Sequence, residues 1–270
     1  MNEMSQYYKP HRNPNWNYGG GRFRLSRSKI DLFLQCPKCF YVDNKLGVAR
    51  PPGFPFALNS AVDFLFKKEF DIHRADKTPH PIMEKYGINA VPFEHPKMDT
   101  WRENFEGIEV KHKPTDFTVS GAVDDIWINP ASGELIVVDY KSTSKDGKIE
   151  KLDQDWHIGY KRQMEIYQWL LRQNGFDVSD TGYFVYANAS KDREAFDGKL
   201  EFDVTLVQYK GNADWVEPTL HKIKKVLDED IVPEPDKECD YCTYRKAVRD
   251  VLLKKQDRNQ KRGGGQQALL

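Results

Sequence analysis

Two aspartates and a lysine on one short, strand-like stretch have the clearest capacity for chemistry in this 270-residue chain. The stretch runs from Gly121 to Lys141 and reads GAVDDIWINPASGELIVVDYK. β-Branched and aromatic residues flank the turn-rich Asn129-Pro130-Ala131-Ser132-Gly133, and neither arm has helical spacing, so it reads as a β-hairpin. Strand side chains alternate between faces, which turns Asp139 and Lys141 one way and Val138 and Tyr140 the other. Asp124 shares its face with Ala122, Ile126 and Ile128, placing a carboxylate among positions expected to be buried. Such a group needs a partner to offset its lost hydration. A divalent cation held by Asp124 and Asp139, with Lys141 beside it, supplies one and outlines a hydrolytic site for phosphate esters. A hairpin with a solvated Asp-Lys pair fits the same three residues, and D-x-K alone does not decide between the two.

The second set is four cysteines in two close pairs, Cys36 with Cys39 and Cys239 with Cys242. In a chain of this size without a secretion signal, paired C-x-x-C spacing points to metal binding rather than a disulfide framework. Two thiolates three positions apart at a helix end can grip one ion.

The elements that must position these residues are legible in outline. Ser26 or Ser28 caps a helix in which Ile30, Phe33 and Leu34 share a face, and Pro37 marks its end. A second helix is expected over residues 56–73, with Leu58, Val62, Leu65 and Phe66 as its apolar stripe. Asp63 borders that stripe. It is a surface aspartate unless the helix packs beside the hairpin, where it becomes a further metal ligand. Residues 74–104 read as short helices and loops. A strand at 108–112 leads through Thr115 and Asp116 into the strand bearing Asp124, giving three consecutive strands expected to be antiparallel neighbours.

After Lys141 a polar loop precedes a helix over 157–174, with Tyr160, Met164, Tyr167 and Leu171 at helical spacing and Gly175 closing it. Gln163 and Tyr167 lie four apart there, so both reach one spot. Strands follow at 181–187 and 200–209, then an amphipathic helix at 214–228 and a short helix after Cys242. Residues 1–22 and 254–270 read as a disordered arm and tail around a single domain at 23–253.

Composition sets the outer limits. Charged residues are 30%, hydrophobic ones 39% and aromatic ones 13%, as in a globular protein with a sizeable core. The 41 basic and 41 acidic residues cancel, so a nucleic-acid surface has to be local. No apolar run matches a membrane span, and residues 1–24 lack a signal-peptide core, so the expected location is cytoplasmic.

Several motifs together resemble the RecB-like branch of the PD-(D/E)XK nuclease superfamily, which includes CRISPR-associated exonucleases and AddAB-type recombination nucleases. They are LSRSKIDLFLQCPKCFY near the start, the helix LNSAVDFLF, G-x-x-D at Gly121–Asp124, D-x-K at Asp139–Lys141, Q-x-x-x-Y at Gln163–Tyr167 and the closing C-x-x-C. Their order and spacing span nearly the whole of residues 25–250. The resemblance implies a restriction-endonuclease-like α/β fold: a mixed central sheet flanked by helices, its N- and C-terminal elements joined by a four-cysteine metal site.

It also implies roles. Asp124, Asp139 and the Tyr140 carbonyl hold catalytic Mg²⁺ or Mn²⁺, Lys141 steadies the attacking water or the phosphate charge, and Gln163 and Tyr167 support the site and touch DNA. The family's first catalytic helix often has G-x-x-x-H; here Asn59 and Asp63 stand at those positions, and aspartate is a competent ligand for a hard ion. Iron-sulfur members place one cysteine early and three late, unlike the two pairs here. The family favours a 4Fe–4S cluster and the pairing favours Zn²⁺, with the balance slightly to the cluster.

The expected activity is therefore metal-dependent DNA hydrolysis, by an exonuclease or end-processing enzyme acting on single strands or duplex ends. Two other outcomes fit the sequence: a catalytically silent, metal-stabilised DNA-binding or partner module, and a nuclease active only within a helicase, recombination or CRISPR adaptation complex.

Overall fold

The computed structural model describes residues 15–51, 53 and 56–264. Residues 1–14 of the expected arm and 265–270 of the expected tail lie outside them. Two compact units form. One comprises Phe23–Asp31 and Gly53–Lys222, the other the described residues among 1–22, 32–52 and 223–270.

The first unit is mixed α/β. Its larger sheet has the order β2-β5-β6-β7-β8, formed by β2 (Val91–Pro92), β5 (Asp125–Ile128), β6 (Leu135–Thr143), β7 (Thr181–Ala189) and β8 (Phe202–Lys210). A three-stranded sheet has the order β1-β4-β3, from β1 (Leu25–Ser26), β3 (Ile108–His112) and β4 (Phe117–Gly121). The expected hairpin is β5 and β6, antiparallel with Asp125 opposite Val138 and Ile128 opposite Leu135. β6 and β7 run parallel, so the chain needs a crossover between them, and α6 (Ile158–Gln173) supplies it. Tyr160 to Leu171 follow the expected helical spacing, and Met164, Ile166, Tyr167, Leu170 and Leu171 are buried.

Two expectations change. β3 and β4 pair antiparallel, but the chain leaves that sheet after Gly121 and β5 joins the larger one, so the three strands are not consecutive neighbours. The bend at Ala122–Asp124 is what frees Asp124 from a ladder. The helix α3 (Ala57–Asp76) buries only half of the stripe read from the sequence: Phe66 is buried and Val62 partly so, but Leu58 and Leu65 are 73% and 62% exposed. Its buried face is Phe66, Phe70 and Arg74, spaced by four, with Val62 partly covered. Phe66 and Phe70 pack on Tyr140, and Phe70 stacks on Trp127, forming the core on one side of the sheet. Trp127 and Trp169 are 0% and 5% exposed and belong to the interior.

The second unit contains α2 (Pro37–Asn44) and the described part of α8 (Asp240–Gly264), with all four cysteines. α8 continues through 254–264, where the sequence predicts an irregular tail. Among the described residues no helix is long and apolar enough to cross a membrane.

Candidate active site and cysteine centre

Asp139 lies in the middle of β6, flanked by β5 and β7, and is fully buried. Its Oδ1 accepts a 2.6 Å hydrogen bond from Gln163 Nε2 on α6. Its Oδ2 is paired with the Lys141 ammonium. Burial, reinforced by the nearby Asp124 carboxylate, raises the Asp139 pKa to about 7 in spite of Lys141. Burial opposes the charge on Lys141, but Asp139 and Asp124 more than offset it, so its pKa stands above the usual lysine value. Lys141 also sits over the Tyr160 ring, 4.6 Å from its centroid.

Asp124 is positioned by what β5 lacks. Because Asp125 pairs with Val138, Tyr140 lies beyond the end of β5, and its N–H donates instead to Asp124 Oδ2 at 2.9 Å. A strand residue turns its N–H and C=O to the same neighbour, so the Tyr140 carbonyl faces that same edge. Asp124 Oδ1 is 3.9 Å from Lys67 Nζ, which donates at 2.8 Å to Asp63 Oδ2 one helical turn back. Asp63 has a raised pKa, from partial burial first and then from Asp124. The helix packs against β6, and Asn59 Nδ2 donates to the Ser142 carbonyl at 2.9 Å. Asp63 is thus beside the hairpin and in the same electrostatic neighbourhood as Asp124 and Lys141.

Tyr167 stands behind this group and explains the glycine three residues before Asp124. A Cβ on Gly121 would lie 2.8 Å from Tyr167 Cε1, so no side chain fits. The Tyr167 hydroxyl accepts from Gln163 Nε2 at 3.1 Å. Arg27 on α1 (Arg27–Gln35) approaches the same hydroxyl; burial works against its charge, but Tyr167 and Asp139 raise its pKa.

Sequence reading missed five residues here: Arg27, Lys67, Arg74, Arg102 and Asp125. Lys67 follows Asp63 at the i+4 spacing of a helical ion pair, which was available as a signal. The role of Asp125 was not. It is 0% exposed, so the fully buried carboxylate of the DD pair is Asp125 rather than Asp124. Its Oδ1 accepts from Arg74 at 2.5 Å and Arg102 at 2.9 Å, and its Oδ2 accepts from the Tyr140 hydroxyl at 2.7 Å. Arg102 also donates through Nε to the Asp124 carbonyl at 3.1 Å and through Nη1 to both oxygens of Asp71. These arginines come from α3 and α5 (Met98–Arg102), and they fix the backbone that carries Asp124.

The donor set of Asp63, Asp124, Asp139 and the Tyr140 carbonyl is all oxygen, although the three carboxylates do not converge within the 4.8 Å that the cysteine and histidine clusters reach, and Asp139 Oδ2 is buried against the Lys141 ammonium. An all-oxygen set fits a hard divalent cation.

In the second unit the four cysteine sulfurs converge. Cys36 and Cys242 Sγ are 3.8 Å apart, Cys39 and Cys239 3.7 Å, and Cys39 and Cys242 3.5 Å. Arg50 Nη2 lies 3.5 Å from Cys239 Sγ and its guanidinium covers the Tyr241 ring at 4.5 Å. Burial raises the Cys36 thiol, but backbone hydrogen bonds at Cys39 and Asp236 outweigh it and bring the pKa down to about 7.

A family model of the PD-(D/E)XK nuclease superfamily matches residues 73–247. Among solved structures, the one described as "Crystal structure of SSO0001" is similar at 21% identity and a TM-score of 0.29, over 51% of this chain and 54% of that one. The chain thus spans about half the length of that protein. No curated protein matches.

Proposed function

Since the chain belongs to the PD-(D/E)XK nuclease superfamily, we propose that it is a metal-dependent deoxyribonuclease of the RecB-like branch, an exonuclease or DNA end-processing enzyme. The observation that carries this reading is Asp139: buried, held by Gln163 on one oxygen and by Lys141 on the other, with Asp124 beside it.

Asp63, Asp124, Asp139 and the Tyr140 carbonyl are the groups that would hold Mg²⁺ or Mn²⁺. Such an ion, when bound, makes water a stronger nucleophile and neutralises charge on the phosphate. Lys141 is held as an ammonium by its two carboxylates, so its part is to place positive charge beside the scissile phosphate rather than to remove a proton. Gln163 holds one rotamer of Asp139, and Tyr167 holds Gln163. Past the end of β6, Lys145, Lys148 and Trp156 line one cleft together with Glu150 and the Lys151–Asp153 ion pair, so the positive charge free to meet a nucleic-acid backbone there is that of Lys145 and Lys148.

For the cysteines the proposed ion is Zn²⁺. A tetrahedral zinc with bonds of about 2.3 Å separates its sulfurs by about 3.8 Å, close to the spacing found here. A four-iron cluster puts a separate iron behind each cysteine and spreads the thiolates further. Protein isolated colourless with one tightly held zinc supports this, and a brown protein with four irons overturns it.

The activity is tested with end-labelled single-stranded and duplex DNA, and RNA, in Mg²⁺ and in Mn²⁺, using wild type, Asp139→Ala and Lys141→Ala. Cleavage by wild type that both substitutions abolish is the expected result, and the order of label release gives the polarity. Bound but uncut DNA in every sample overturns the independent-enzyme reading in favour of a binding module or a nuclease that needs a partner.

A further inference from the structure

A second cluster of ligating side chains lies in the first unit, on elements that contribute none of the candidate catalytic carboxylates. His112 closes β3, while Glu217 and His221 stand one turn apart on α7 (Val216–Asp228), on the same face of that helix. One nitrogen from each histidine and one oxygen from Glu217 lie within 4.8 Å of one another. We propose that His112, Glu217 and His221 form a binding site for a borderline transition-metal ion of the Zn²⁺ class, distinct from both the carboxylate site and the cysteine centre.

The orientation of each ligand supports this. His112 is 5% exposed, and its Nδ1 lies 2.7 Å from the hydroxyl of Thr115, itself 1% exposed. In the tautomer that has Nδ1–H donating to Thr115 Oγ1, Nε2 would present a lone pair, as in most metal-bound imidazoles, whose other nitrogen is held by an outer partner; in the other, Nε2–H donates to Glu217. That Nε2 is 2.6 Å from Glu217 Oε2. At that distance the two share a hydrogen-bonded proton, which a metal ion would have to displace. The other Glu217 oxygen accepts from Trp169 Nε1 at 3.2 Å, so the carboxylate too is held from behind. His221 is exposed and its ring centroid is 5.8 Å from that of His112, close enough to complete the set by a side-chain rotation.

The donor chemistry selects the ion. Two imidazoles and one carboxylate suit zinc and its neighbours, whereas Mg²⁺ prefers oxygen alone. Tetrahedral zinc with bonds of about 2.0–2.1 Å separates its ligands by about 3.3–3.4 Å. That spacing lies within the 4.8 Å span of the three ligand atoms but exceeds the 2.6 Å His112–Glu217 hydrogen bond, so zinc binding replaces that bond and moves the two side chains apart. Three protein ligands leave a fourth position for water. Bound there, the ion ties β3 to α7, and through Glu217 and Trp169 to α6, the helix that carries Gln163 and Tyr167.

The test uses untagged full-length protein, titrated with Zn²⁺ and separately with Mg²⁺, as wild type, His221→Ala and Glu217→Gln. His221 is exposed, so its substitution leaves the fold intact. Wild type is expected to bind one more zinc equivalent than either variant. Zinc is expected to shift the ring ¹⁵N signals of His112 and His221 together, and Mg²⁺ to shift neither. Equal zinc stoichiometry and affinity in all three proteins overturns the proposal. So do unmoved His112 and His221 signals in zinc-loaded wild type, which would leave a proton alone between His112 and Glu217. Both readouts are independent of DNA cleavage, so failure here is separable from failure of the nuclease reading.

Discussion

Gln163 donates to Asp139 at 2.6 Å across the gap between α6 and β6, and the same Nε2 reaches Tyr167 at 3.1 Å. A carboxylate on a strand is thereby oriented from a helix about one crossover away in sequence. Outer partners of this kind typically account for 10–100-fold in metal affinity or activity. Gln163→Ala should therefore weaken Mn²⁺ binding or cleavage by about that factor and, because it leaves a buried carboxylate oxygen without its donor, also cost about 1–3 kcal/mol of stability in urea denaturation. Full activity in this variant would show that Asp139 holds its rotamer without help.

The raised Asp139 pKa sets a pH dependence with a definite sign. Between its unfolded value, about 3.9, and its folded value of about 7, the folded metal-free protein holds more protons than the unfolded chain. The stability from this group is complete below about pH 4 and is lost as pH rises through about 7. A divalent cation must displace that proton. Calorimetric titration should show apparent Mn²⁺ affinity about tenfold higher at pH 8 than at pH 6. An affinity flat across that range would contradict the Asp139 assignment.

Arg102 grips both members of the Asp124-Asp125 pair, one by its carbonyl and one by its carboxylate. Asp125 is wholly buried, so removing one of its arginines leaves a poorly compensated charge, at a cost of about 3–5 kcal/mol. Arg102→Met should show this loss in urea denaturation and should also lower cleavage, because the Asp124 backbone is released. Arg102→Lys, which keeps the charge but not the planar fork, should fall between.

Gly121 has no room for a methyl group beside Tyr167. Gly121→Ala should destabilise the fold by about 1–3 kcal/mol, as overpacking of an interior does. Combining it with Tyr167→Leu should recover part of that loss; strict additivity in the double mutant would mean the two sites do not touch.

The sequence by itself determined the local elements and the identity of the ligand candidates. Alternation placed Asp139 and Lys141 on one face of a strand, the turn residues made the hairpin, four-residue spacing joined Gln163 to Tyr167, and paired C-x-x-C spacing marked the cysteines. These are properties of chain geometry over a few residues, so they survive without tertiary information. The chain could not show which sheet each strand joins. Nor could it show that the break at Ala122–Asp124 releases Asp124, or that Phe66-Phe70-Arg74, not Leu58 and Leu65, is the buried face of α3. Those depend on what packs opposite. Asp125 is the clearest case: beside Asp124 it reads as an ordinary strand aspartate, and only arginines 51 and 23 residues away in sequence make its burial tolerable. Tertiary structure alone likewise brings His112 to Glu217, 105 positions apart, because neither residue has a local pattern that points to the other.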